Sequence, residues 1–159
     1  MLPWSSRPHG AVRFVAGGTS IKPQPSPSGH AARYGYGRTL DVPFPRALER
    51  TRAGLQGEGF GVLFEIDLAG KLQEKLGVDF RNYVILGACS PPVAHRALLE
   101  DLDIGLLLPC NVVVYEENDG RSTIKAIDAL QMMSITGNPK LESPASEVNE
   151  RLRKVIDGL

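Results

Sequence analysis

Large apolar residues are sparse up to about Ala32, and from Tyr34 onward they fall into short runs that alternate between a period of two and a period near 3.6. Tyr34–Val42 alternates as a first strand. Phe44, Ala47, Leu48 and Leu55 recur at helical spacing, with Pro43 and Pro45 tolerated at the entry and Gly57 or Gly59 placed to end the helix. Val62, Phe64 and Ile66 alternate with Leu63, Glu65 and Asp67, which predicts a strand with one buried face and Asp67 as the cap of a second helix. That helix carries Leu68, Leu72 and Leu76 on one stripe and stops at Gly77.

The pattern continues with Asn82–Ala88, apolar enough for a central strand buried on both faces. Ser90 is placed to cap a helix running through about Asp101, with Pro91 at its first position, where a missing N–H costs nothing. Asn111–Tyr115 and Thr123–Ile127 read as strands of a hairpin, because Glu117-Asn-Asp-Gly120 between them offers residues that adopt positive φ cheaply. Met132, Met133 and Ile135 form a short apolar piece and Gly137-Asn-Pro139 a turn. A last helix from Ser143-Pro144 presents Val148, Leu152, Val155 and Ile156 on one face. The order β-α-β-α-β-α-β-β-α, with a hairpin inside an alternating pattern, predicts an α+β sheet with helices on one face.

Composition narrows the setting. A chain of 159 residues with 42% hydrophobic content builds one core, so residues 33–159 read as a single domain. The preceding 1–32, rich in Pro, Gly and Ser, reads as a disordered tail. Lys plus Arg and Asp plus Glu both number 18, which argues against a nucleic-acid or anionic-membrane binder. Five basic residues and no acidic one lie in 1–40, so the body is mildly acidic and only the tail could touch a polyanion. Two cysteines are too few for a secreted disulfide scaffold, and no run approaches the roughly 18 apolar residues of a membrane span. Met1–Ala16 lacks the apolar region of a secretory signal, although its Arg, Ser and lack of acids faintly suggest a transit peptide. A cytoplasmic protein is expected.

Candidate chemistry gathers between Gly87 and Asn111. Cys89 stands one residue before a helix cap, where backbone N–H groups and the helix dipole stabilise a thiolate; the alternative is a small apolar residue filling a tight turn. His95, on the side of its helix that carries Leu98, Leu99 and Leu102, is expected against the core, as a structural histidine, a metal ligand or a general base. Cys110 opens the next strand beside Asn111, and it comes near Cys89 only if the two strands are antiparallel. Cys89, His95 and Cys110 lack the paired spacing of a zinc site, and there is no Cys-x-x-Cys redox element. Glu65 and Asp67, secondary candidates for acid–base work or a hard cation, share one strand face; the alternative makes Glu65 solvent-facing and Asp67 a cap. The phosphate-loop, nucleophile-elbow and His-Glu-x-x-His patterns do not occur.

Gly61-Val-Leu-Phe-Glu-Ile-Asp67, Val84-Ile-Leu-Gly-Ala-Cys-Ser-Pro-Pro92 with Ala94-His95, and Gly105-Leu-Leu-Leu-Pro-Cys-Asn-Val-Val-Val-Tyr-Glu116 together resemble the uncharacterised family of domain of unknown function three-hundred-and-two, from about Tyr34 to Leu159. Ser90 stands where that family often has Asn, a change that keeps a helix cap. The resemblance implies a two-layer α+β fold with a largely antiparallel sheet, a homodimer and a bacterial or archaeal cytoplasm, with Cys89 and Cys110 at one end of the sheet. It carries over no catalytic residue, only the motif positions Glu65, Asp67, Cys89, His95, Cys110 and Asn111. Three functions are expected in turn. The first is a small-molecule or metal-binding module at Cys89, Ser90, His95, Cys110 and Asn111. The second is a thiol enzyme or redox sensor using Cys89. The third is a purely structural dimerisation domain.

Overall fold

The structure, a computed structural model, describes residues 34–159. The expected disordered tail at 1–32, its charge and its faint transit character lie outside the described residues. Five strands form one antiparallel sheet: β1 Gly35–Leu40, β2 Gly61–Asp67, β3 Tyr83–Cys89, β4 Cys110–Glu116 and β5 Ser122–Ile127, in the order β1-β5-β4-β3-β2. The helices are α1 Phe44–Gly57, α2 Leu68–Leu76, α3 Pro91–Glu100, α4 Ala129–Ser134 and α5 Glu142–Asp157. The α+β class, the antiparallel sheet and the expected element order are all present. The apolar piece at Met132 and Met133 adds α4, and 3-10 turns at Leu102–Leu107 and Pro139–Leu141 add further short pieces.

The core lies on one face of the sheet. Strand alternation sends Val84, Leu86 and Ala88, then Cys110, Val112 and Val114, then Ile124 and Ala126, to the same side. They meet Ala47, Leu48, Thr51 and Leu55 of α1 and Val148, Leu152, Val155 and Ile156 of α5, each set recurring at helical spacing. Burial of each such large side chain contributes about 1.5–3 kcal/mol. Thr51 keeps its hydroxyl satisfied inside this layer by donating to the Ala47 carbonyl at 2.8 Å.

The opposite face and the β2 edge depart from expectation. The alternation of Val62, Phe64 and Ile66 predicts a shared buried face, but all of β2 is exposed. An irregularity between Val62 and Phe64 shifts the register, so Val62 lies opposite Ala88 while Phe64 and Ile66 lie opposite Gly87 and Ile85. An extra residue in an edge strand thus moves the later apolar residues to the open face. The Phe64 ring rests on Gly87, where an added Cβ would come within 2.6 Å of it. β3 is fully buried on its helix-facing side, whereas on the other face Gly87 is covered by Phe64 and Tyr83, Ile85 and Cys89 remain half-buried. The predicted stripe of α2 buries nothing; Leu68 and Leu72 are half-buried and Leu76 is exposed. Gly77, as expected, ends that helix in a left-handed conformation with φ 66°.

Candidate functional site

β3 ends and α3 begins at one end of the sheet, on its helix-covered side, and a cavity opens at that junction. Ala88, Cys89, Ser90 and Val93 form one wall, Leu108 and Cys110 another. Met133 of α4 and Ala145 and Val148 of α5 close it from the helix layer. Cys110 reaches the cavity because it is paired with Ala88, an inward-facing residue of β3. The antiparallel pairing settles the question left open by the sequence: Cys89 and Cys110 lie at the same end of the sheet. They are one residue out of step, and both thiols are free. The cavity is small, about 30 Å³, which is room for about one or two heavy atoms, the tip of a larger group.

The electrostatics of this junction are set by burial. Burial pushes the Cys89 thiol up, and it pushes Cys110 up to about 11, with the nearby Cys89 adding to the shift. Both cysteines are therefore protonated thiols at neutral pH. The expected thiolate-stabilising helix start is also impoverished, because Pro91 and Pro92 open α3 and bring no N–H; of its first three residues only Val93 has one.

Ser90 holds the N-cap position but does not act as a cap. Its carbonyl accepts the first helical bond from Ala94 N–H at 2.9 Å, while its side chain makes no cap hydrogen bond. Ser90 is only 3% exposed, it lines the cavity, and its Oγ has no hydrogen-bond partner among the described residues. A buried hydroxyl left in this state costs about 1–3 kcal/mol.

The other sequence candidates lie elsewhere. His95 is exposed, contrary to the expectation of core packing: α3 buries Val93 and Ala97, and His95 falls on the opposite side of the helix. Leu99 and Leu102, expected on the same buried side, are exposed as well, at 74% and 81%. Asn111 is turned by strand alternation to the open face, opposite Gly87, while its neighbour Cys110 faces the helices. Among the described residues there is no group of three His, Cys, Asp or Glu placed to hold a metal ion, so Cys89, His95 and Cys110 do not form a metal centre. Glu65 and Asp67 share a strand face but each is engaged: Glu65 accepts from Arg52 Nε at 2.9 Å, and Asp67 Oδ1 accepts from Gly70 N–H at 3.0 Å. Ser90 is marked in the sequence by its capping position. Ala129, Met133 and Ala145 carry no such mark, because nothing local in α4 or α5 signals a cavity wall.

Among the described residues no helix is long and apolar enough to cross a membrane. The profile of the family described as Domain of unknown function DUF302 matches residues 36–159. No curated protein matches the chain. A solved structure of an uncharacterized conserved protein, DUF302, from Bacillus stearothermophilus is similar to it, with a TM-score of 0.73 and 36% identity across 79% of this chain and 98% of that one.

Proposed function

The chain belongs to the DUF302 family, and on that premise we propose that it is a non-catalytic binding module that takes a small molecule, or the tip of a larger one, into the cavity at the β3–α3 junction. Cys89, Ser90 and Cys110 line the site; His95 and Asn111 have no part in it. The observation that carries this reading is the buried Ser90 hydroxyl without a partner among the described residues, on a wall otherwise of apolar side chains and thiols, a cost that occupancy would remove. The two unpaired cysteines support a reducing, cytoplasmic setting. A thiol-redox role for Cys89 has less support, since burial raises its pKa and the prolines thin out the helix N–H groups. The test is protein-observed NMR with a panel of fragments of two to five heavy atoms. Shifts confined to the methyl groups of Ala88, Val93, Met133 and Val148, and abolished by Ala94→Leu, which fills the cavity that Ala94 also lines, are expected. A panel that moves none of these methyls rejects the reading.

A second reading, that of a homodimer, rests on a different observation. Val62, Leu63, Phe64 and Ile66 of β2 and Leu76, Val78 and Phe80 beyond it are all exposed large apolar side chains within one stretch of chain. Exposed apolar residues along an edge strand, with Phe64 and Ile66 together on the open face, mark an interaction surface, and a second copy of the same edge closes by two-fold symmetry. Sedimentation of the full chain should report a dimer, and Leu63→Glu with Phe80→Glu a monomer. A wild-type monomer at about 100 μM, well above the usual Kd of a standard-sized interface, rejects it.

A further inference from the structure

The β3–α3 cavity has a chemical character that goes beyond its existence, and its ligand class can be inferred on the reading that it binds one. No Lys, Arg, His, Asp or Glu lines it among the described residues. An anion would find neither a cationic side chain nor the usual cluster of helix-start N–H groups, because Pro91 and Pro92 occupy the first two positions of α3. A cation would find no carboxylate, and either charge would be desolvated without compensation. Water is a poor match as well, since a buried water makes two to four hydrogen bonds and this wall offers one hydroxyl and two weakly bonding thiols. What the lining does match is an apolar body that fills space against Ala88, Val93, Met133 and Val148, with one atom able to exchange a hydrogen bond with Ser90.

We infer that the occupant of this cavity is the uncharged end of a small molecule or larger group, which inserts about one or two heavy atoms and bonds a hydroxyl or carbonyl oxygen to Ser90 Oγ. The thiol protons of Cys89 and Cys110, held in place by burial, keep the wall neutral through the physiological range.

The experiment uses the full chain and four probes: 1-propanol, propionate, propylammonium and xenon, each titrated while the pocket methyl groups are followed by NMR. At four heavy atoms the expected 1-propanol Kd is on the order of millimolar. Propionate and propylammonium should bind at least tenfold more weakly. Ser90→Ala should weaken 1-propanol about fivefold or more and leave xenon, which has no hydrogen-bonding atom, unchanged. Ser90→Cys, which keeps a heavy atom at the γ position, slightly larger, and gives up most of the hydrogen bonding, should weaken 1-propanol as Ser90→Ala does and guards against a folding defect in either variant. If propionate or propylammonium binds as well as 1-propanol, the ligand class is wrong while the pocket stands. If xenon binds and 1-propanol does not, the class is also wrong. Unchanged 1-propanol affinity in both Ser90 variants removes the hydroxyl from recognition. If no probe moves the pocket methyl groups, the binding reading itself falls.

Discussion

Two strand-to-helix junctions in this domain start from the same sequence logic and end in opposite states. β2 passes into α2 through Asp67, whose carboxylate accepts from Gly70 N–H at 3.0 Å in the open. β3 passes into α3 through Ser90, in a comparable extended conformation at the cap position, yet its hydroxyl is buried and unpartnered among the described residues. Asp128 and Asn138 follow the Asp67 pattern, each accepting from a backbone N–H two or three residues on. Capping geometry alone therefore does not make a cap. At β3–α3 the hydroxyl is withheld from the helix, and the prolines at its start reduce the number of N–H groups in need of one.

This contrast fixes the sign of several measurements. Ser90→Asp should cost on the order of 3 kcal/mol or more in urea unfolding at neutral pH, because it places a charge at a buried position with no counter-charge in the lining. Asp is as good a cap as Ser, so the reverse exchange, Asp67→Ser, should stay within about 0.5 kcal/mol. A tolerated Ser90→Asp would make the two junctions equivalent and refute the contrast.

The second effect is the titration of Cys110. Its folded pKa of about 11 lies above the ordinary thiol value of 9.0, so the stability it contributes is complete below about pH 9 and is lost as the pH rises toward 11. The loss amounts to about 2–3 kcal/mol by pH 11. The difference between wild-type and Cys110→Ala unfolding free energies, measured across pH 8–11, isolates this step. A difference independent of pH would mean that the junction is wet.

Smaller still are the two alanine exchanges. Asp67→Ala should cost about 1 kcal/mol, read as faster hydrogen exchange at Gly70 and its neighbours, since α2 buries no residue and frays by itself. Ser90→Ala removes an unpaired hydroxyl and should be neutral or stabilising by up to about 1 kcal/mol in ligand-free protein. A Ser90→Ala loss as large as that of Asp67→Ala would show that Ser90 caps its helix after all.

The helices and strands are legible in the sequence because their signals are local. The Val148, Leu152, Val155 and Ile156 stripe needs only a helical period, and Glu117–Gly120 needs only a turn, with Gly120 at φ 82°. The assignment of faces is where the sequence misleads. The large neighbours Leu99 and Leu102 point His95 toward the core, but α3 packs through Val93 and Ala97, smaller residues that let the helix sit close. Val62, Phe64 and Ile66 have a clean period of two, and no residue in the strand announces the shift that interrupts it. The cavity is half-legible. Cys89, Ser90 and Cys110 stand out by motif and turn chemistry, whereas Met133, Ala145 and Val148 join them only through packing of α4 and α5 on the sheet.

The strand order also dictates when the sheet can close. β2, β3, β4 and β5 form a meander, each beside its predecessor, but β1 closes the sheet against β5, with Thr39 paired to Thr123 84 residues later. On a ribosome, the first of these five strands to be made is the last that can pair, and it must remain unpaired until β5 has emerged. Closing the sheet therefore requires the docking of β1, the strand pairing of longest sequence separation among the described residues.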